Sequence, residues 1–138
     1  MTSLINISEG ASLALHGLAI VALKSPQRVN VKYLAKTLGA SEAHLAKIFQ
    51  RLTKINFVKS VRGPAGGFEL SCNPGEVSLL DIYEIIDGKV NILACTIGKD
   101  KCQFSECLFG KKLNQASYQV YQDLKEIKIS NLMKTIKI

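Results

Sequence analysis

Cys95, Cys102 and Cys107 fall within 13 residues, with six and then four residues between them, on a stretch that also holds Gly98, Lys99 and Lys101 and few apolar side chains. A cysteine kept for packing usually sits alone on an apolar face, so three thiols on a polar segment suit soft-metal ligation or reversible oxidation better than a core. Zinc sites favour paired C-x-x-C spacing. That spacing is absent here, and the nearest histidine in sequence is His44, so a zinc ion would have to borrow a distant ligand. Iron–sulfur ligation accepts irregular loop spacing, because bridging sulfides set the distances between ligands. Spacing alone keeps three uses open: an iron–sulfur cluster, a cluster-free thiol sensor and a zinc site. The fourth cysteine, Cys72, closes an alternating apolar run and reads as a small hydrophobe.

Enzymatic chemistry finds little to work with. The chain has no phosphate-cradling glycine loop ahead of a Lys and Ser/Thr, no nucleophile elbow, and two histidines, neither beside a cysteine. Gly63-Pro64-Ala65-Gly66-Gly67 leads into a strand pattern, so no helix N-terminus would face a nucleotide's phosphates there. The chain is read as a non-enzyme.

The thiols follow a small domain. Ser8 is placed to cap a helix that reaches Leu23, acidic in its first turn at Glu9 and apolar nearly all round, hence buried. Ser25-Pro26-Gln27-Arg28 breaks that pattern, and Val29-Asn30-Val31 has room only for an edge strand or a helix lead-in. A second helix is expected over Val31 to Leu38, stopping at Gly39. Ser41 caps a third, whose Leu45, Ile48, Phe49, Leu52 and Ile55 recur at the spacing of one buried face, opposite Glu42, His44, Lys47, Gln50, Arg51 and Lys54. Small Ala35, permissive Gly39 and plugging Leu45 complete a helix-turn-helix pattern.

Two alternating runs, Phe57 to Arg62 and Phe68 to Cys72, flank the glycine-rich loop and predict a β-hairpin. A hairpin directly after a helix-turn-helix is the layout of a winged helix. Glycines such as Gly66 would let backbone approach a phosphate, and Arg62 at the wing's root would follow it into a groove. Ser78 and Asp81 form a capping box, with Val77 and Ile82 as its staple, for a helix running to Asp87 and stopping at Gly88. From about Leu108 to Ile127, apolar Leu113, Ala116, Val120, Leu124 and Ile127, with Tyr121 beside them, form a stripe that a small domain leaves uncovered, which suits a dimer helix. Ser130 to Ile138 reads as a short helix or frayed tail. The fold expected is mainly α with a small β-hairpin wing (α+β). A winged domain over 1–88 precedes a cysteine-bearing loop over 89–107 and a dimerisation helix with tail over 108–138.

The net charge of +7 is confined to one half: residues 1–62 hold nine Lys/Arg against Glu9 and Glu42, whereas residues 63–138 balance nine bases with nine acids. A localised basic face attracts phosphate backbones and anionic membrane surfaces alike. With 138 residues, 47% of them hydrophobic, the chain can bury a core without disulfide or metal support. Its longest apolar run, Ala11 to Leu23, is interrupted by His16 and follows a start without Lys or Arg, so neither a membrane span nor a signal peptide is expected. The chain reads as cytoplasmic, where thiols stay reduced and a disulfide framework is disfavoured.

Together, Leu45-Ala46-Lys47-Ile48-Phe49-Gln50-Arg51-Leu52, Val58 to Leu70 with its Val61-Arg62-Gly63-Pro64-Ala65-Gly66-Gly67, Leu80 to Gly88, and the three cysteines resemble the IscR/NsrR family of bacterial winged-helix regulators over nearly the whole chain. The resemblance implies a homodimer on palindromic double-stranded operator DNA, serving most simply as a repressor. It implies a cluster, [2Fe–2S] ahead of [4Fe–4S], held by Cys95, Cys102 and Cys107 and responsive to redox state, iron status or nitric oxide. By the same resemblance the helix from Ser41, with Glu42, His44, Lys47, Gln50 and Arg51, enters the major groove, and Arg62 the minor groove beside the Gly66 loop. At Ala46 some members carry an acidic base-reading residue, so a different operator preference is implied. Some relatives place a ligating His three residues after the last cysteine, where this chain has Gly110. Others use the first helix, which here offers Glu9, Ser12 and His16, with His16 preferred. Two rival readings are a winged-helix regulator governed by thiol oxidation or a partner protein, and a small iron–sulfur or metal carrier that docks an acidic protein.

Overall fold

The computed structural model describes residues 1–92, 97–98, 100–109 and 111–137. Helix α1 (Glu9–Lys24) starts where Ser8 accepts from the Ala11 amide, and its buried residues occupy nearly every side. Helix α2 (Val31–Leu38) is capped by Asn30 and ends at Gly39, whose φ of 63° is left-handed. Helix α3 (Glu42–Lys54) is capped by Ser41, which accepts from the His44 amide. Strands β1 (Val58–Val61) and β2 (Gly67–Leu70) pair antiparallel, Val58 opposite Leu70 and Val61 opposite Gly67. Helix α4 (Leu79–Asp87) carries the complete Ser78–Asp81 capping box. Helices α5 (Lys112–Glu126) and α6 (Ile129–Met133) follow. The expected fold class stands: mostly helical, with one two-stranded hairpin among the described residues.

One core joins these elements. Leu18 and Val21 of α1, Leu34 of α2, Leu45, Phe49 and Leu52 of α3, Val58 of β1 and Ile82 of α4 are essentially inaccessible to solvent. The Phe49 ring meets Phe68 of the wing at a centroid distance of 4.5 Å, so the recognition-helix candidate and the wing share a packed contact. Val29 is both things its neighbourhood allowed. Its backbone bridges Phe68 as a one-residue third strand, and Asn30 beside it caps α2.

Two expectations need correction, and of the two readings of the tail the short helix is the one found. Ile55 is 38% exposed, because α3 ends at Lys54 and the chain turns before that position can reach the core. Helix α5 begins at Lys112, not near Leu108, and ends before Ile127; none of its residues is buried. The tail is ordered into the winged domain: Ile129 is fully buried, its amide donating to the Val77 carbonyl at 3.0 Å, while the Ser130 amide donates to that of Pro74 at 2.9 Å. Residues 108–138 thus combine a helix that covers no core with a turn that completes one.

Candidate nucleic-acid interface and thiol loop

Helix α3 buries Leu45, Ile48, Phe49 and Leu52, and at 100° per residue this turns Ala43, Lys47, Gln50 and Lys54 directly outward. Glu42, Lys47 and Gln50 are exposed as expected, with the Ser41 cap at the leading end. Two other expected contact residues have neighbours within the chain. His44 is half-buried, its Nε2 close enough to meet a side chain built on Gly10 of α1. Arg51 is exposed, and one of its guanidinium nitrogens donates to the Ile86 carbonyl of α4 at 2.9 Å. Lys54 and Ala43, which share the outward line, are what the broad polar face in the sequence concealed.

Ala46, Gln50, Thr53 and Lys54 of α3 line a shallow open groove with Ser60 and Phe68 of the wing. Arg62 follows β1 and is exposed at the wing's root. Gly66 is needed for a reason other than access to a phosphate: a Cβ there would sit 2.3 Å from the Val61 carbonyl oxygen, so the loop closes on itself only without a side chain. Lys32 and Lys36 of α2 and Lys59 of β1 add exposed positive charge.

The thiol loop leaves α4 at Gly88. Cys95 and Gly110 lie outside the described residues. Cys102 and Cys107 are free, exposed thiols, and the Cys102 amide closes a turn onto the Gly98 carbonyl at 3.2 Å. Around them Ile97, Phe104, Leu108 and Phe109 are 61–71% exposed in the single chain. Cys72 differs: it is half-buried against the core, and burial pushes its thiol above the ordinary range, as expected of a packing residue.

His16 is exposed on α1, as is Glu9. Its Nδ1 lies 2.6 Å from the Ser12 carbonyl oxygen, which can only accept, so Nδ1–H is the donor of that contact. A ligating histidine is commonly oriented by a hydrogen bond of this kind through its other nitrogen. Cys102, Cys107 and His16 are donor types that a cluster accepts, but among the described residues no three His, Cys, Asp or Glu side chains come together to hold a metal.

The end of α4 is a junction that sequence reading missed. Ile86 receives Arg51, Asp87 Oδ1 accepts from the Ser8 hydroxyl at 2.7 Å, and Gly88 opens the thiol loop. No local sequence signal marks contacts spanning 35 and 79 residues.

Residues 7–135 match the sequence profile of the Rrf2 family, described as an iron-dependent transcriptional regulator. A putative helix-turn-helix transcriptional regulator of Aquifex aeolicus is 30% identical over 129 residues, 91% of this chain and 90% of that protein. The regulator NsrR of Oceanobacillus iheyensis is 28% identical over 132 residues, 94% of this chain and 90% of its own. In fold, the chain is similar to CymR, the global cysteine regulator of B. subtilis, with a TM-score of 0.80, 22% identity, and coverage of 97% of this chain and 100% of the other.

Proposed function

Because the chain belongs to the Rrf2 family of transcriptional regulators, we propose that it acts in the bacterial cytoplasm as a homodimeric repressor whose grip on operator DNA is set by an iron–sulfur cluster. The observation that carries the DNA half is the outward line Lys47, Gln50 and Lys54 on a helix capped by Ser41 and flanked by Arg62 of the wing. Capped, rigid α3 has the dimensions of a major-groove reader, and the wing follows the adjoining backbone. Ser41 and Glu42 are exposed at the leading end of the helix, and Gly66 shapes the wing loop.

The dimer follows from α5. Leu113, Val120, Tyr121 and Leu124 are half-exposed along one side of α5, a stripe suited to a second copy. The apolar side chains around Cys102 and Cys107 have the same need for cover.

Cys95, Cys102 and Cys107 would hold the cluster, [2Fe–2S] ahead of [4Fe–4S], with His16 as fourth ligand, ahead of Glu9, from the first helix of either subunit. When bound, such a cluster supplies iron reactive toward oxidants and nitric oxide. The chain's own part is mechanical. A rearranged thiol loop pulls at Gly88, and the Ile86 carbonyl and Asp87 carboxylate pass that shift to Arg51 on α3 and to the cap of α1.

Purification without oxygen, followed by an absorption spectrum, an iron count and a gel shift on the DNA upstream of the chain's own gene, tests both halves. Visible absorption with a cluster-dependent shift supports the proposal. Colourless protein that binds DNA in a thiol-dependent way would favour control by oxidation of Cys102 and Cys107, a reading their exposure already permits. Coloured protein without DNA binding would return the carrier reading.

A further inference from the structure

Arg28 is one of the nine bases of residues 1–62, yet its guanidinium turns to the wing. Its Nε donates to Glu69 Oε2 on β2 at 3.1 Å, and its Nη1 to the Ala65 carbonyl in the wing loop at 3.3 Å. The next residue, Val29, exchanges two backbone hydrogen bonds with Phe68, at 2.9 and 2.7 Å. The one after, Asn30, accepts from the Tyr33 amide at 2.8 Å and so caps the first helix of the helix-turn-helix. Gly67 closes the same seam: its φ is 143°, and a Cβ there would lie 2.8 Å from the Val29 carbonyl carbon and oxygen.

Three consecutive residues therefore tie the wing loop, the wing strand and α2 together. A two-stranded ribbon has little stability of its own, so the direction of its loop is set by what holds it from outside. Ala65 is three residues from Arg62 on that loop, and the Arg28 fork is what reaches it.

We infer that Arg28 is a positioning residue for DNA binding: clamped to Glu69 and Ala65, it aims the wing loop, and Arg62 with it, at the groove beside α3. The role rests on the DNA-binding reading above. Arg28 and Glu69 keep 41% and 28% of their side-chain surface exposed, and pairs so placed contribute little to global stability. The effect belongs in binding, not in melting.

The test uses a duplex enriched by the wild-type protein from a random-sequence pool. Affinity for it is compared among wild type, the charge-conserving double variant Arg28→Gln/Glu69→Gln, Arg62→Ala, and the triple combination. The double variant should bind about tenfold more weakly at unchanged net charge and melting temperature, and the triple should match Arg62→Ala to within about twofold, because the clamp acts through Arg62. Wild-type affinity in the double variant, or losses that multiply in the triple, would overturn the inference. Should the double variant melt early, Arg28→Lys carries the test, since it retains the charge but lacks the two-pronged reach; it should lose most of the same affinity, and full affinity would refute the role. Failure of the wild type to enrich any duplex is a separate result, which removes the DNA-binding reading and this role with it.

Discussion

Arg51, in the last turn of α3, donates to the carbonyl of Ile86, in the last turn of α4, across 2.9 Å. Two residues beyond Ile86 the chain enters the thiol loop at Gly88. Under the proposed function, this hydrogen bond would connect the DNA-reading helix to the segment that carries the cysteines.

Salt dependence separates the two roles. Each phosphate contact contributes about 0.9 to the slope of log affinity against log salt. Replacing Lys47 or Lys54 by Ala should lower the slope by about that amount, and Arg51→Gln should leave it unchanged. What Arg51→Gln should lose is the difference in DNA affinity between protein with an intact and a disrupted thiol loop. A slope reduced as much as by Lys47→Ala would make Arg51 a phosphate contact after all.

Gly66→Ala tests why the wing is glycine-rich. With 2.3 Å between a new Cβ and the Val61 carbonyl, the loop must rearrange, and destabilisation of about 1–3 kcal/mol is expected even without DNA. Thermal unfolding measures it. An unchanged melting temperature with weakened DNA binding would restore the phosphate-approach explanation.

The cysteines should divide in reactivity. Exposed Cys102 and Cys107 should be alkylated quickly in cluster-free protein, and half-buried Cys72 slowly, by mass spectrometry of timed samples. Burial raises the Cys72 pKa, so the folded state favours the neutral thiol. Its contribution to stability is full below the ordinary thiol range and is lost as pH rises through the raised value. Cys72→Ala should therefore lose less melting temperature than wild type on going from neutral to alkaline pH, and an identical alkaline slope would exclude this linkage. Cys72→Ala should also keep the anaerobic absorption that replacing Cys95, Cys102 or Cys107 abolishes.

The helix-turn-helix was legible because its signals are local. Ser8, Asn30, Ser41 and Ser78 each cap the amide three residues on, Gly39 supplies a left-handed turn, and Leu45 to Leu52 repeat on one face. The family resemblance rested on the same contiguous stretches, Val61 to Leu70 above all. What escaped is what tertiary packing decides. The polar side of α3 is wide enough that periodicity does not separate Arg51 and His44, which have neighbours on α4 and α1, from Lys47. Ile129 is one of several apolar residues in a tail with no long periodic pattern, and its place under Val77 is set by tertiary contacts. The Arg28–Glu69 clamp joins residues 41 apart with no motif between them.

The fourth ligand is the last point open to direct measurement. The His16 ring is exposed, its Nδ1 lies 2.6 Å from the Ser12 carbonyl oxygen, and it is no part of the core cluster. Its replacement by Ala should therefore leave the far-ultraviolet circular dichroism and melting of cluster-free protein unchanged. In cluster-loaded protein an imidazole is a poorer electron donor than a thiolate, and histidine ligation raises the potential of clusters for which the comparison is known. His16→Ala should thus shift the reduction potential and the electron-paramagnetic-resonance spectrum of the reduced protein, or lose the cluster outright, while Glu9→Ala, one further turn from the Ser12 anchor, changes either less. Superimposable spectra of wild type and His16→Ala, at equal iron content, would remove His16 from the ligand set and direct attention to Glu9 or Ser12 on the same helix.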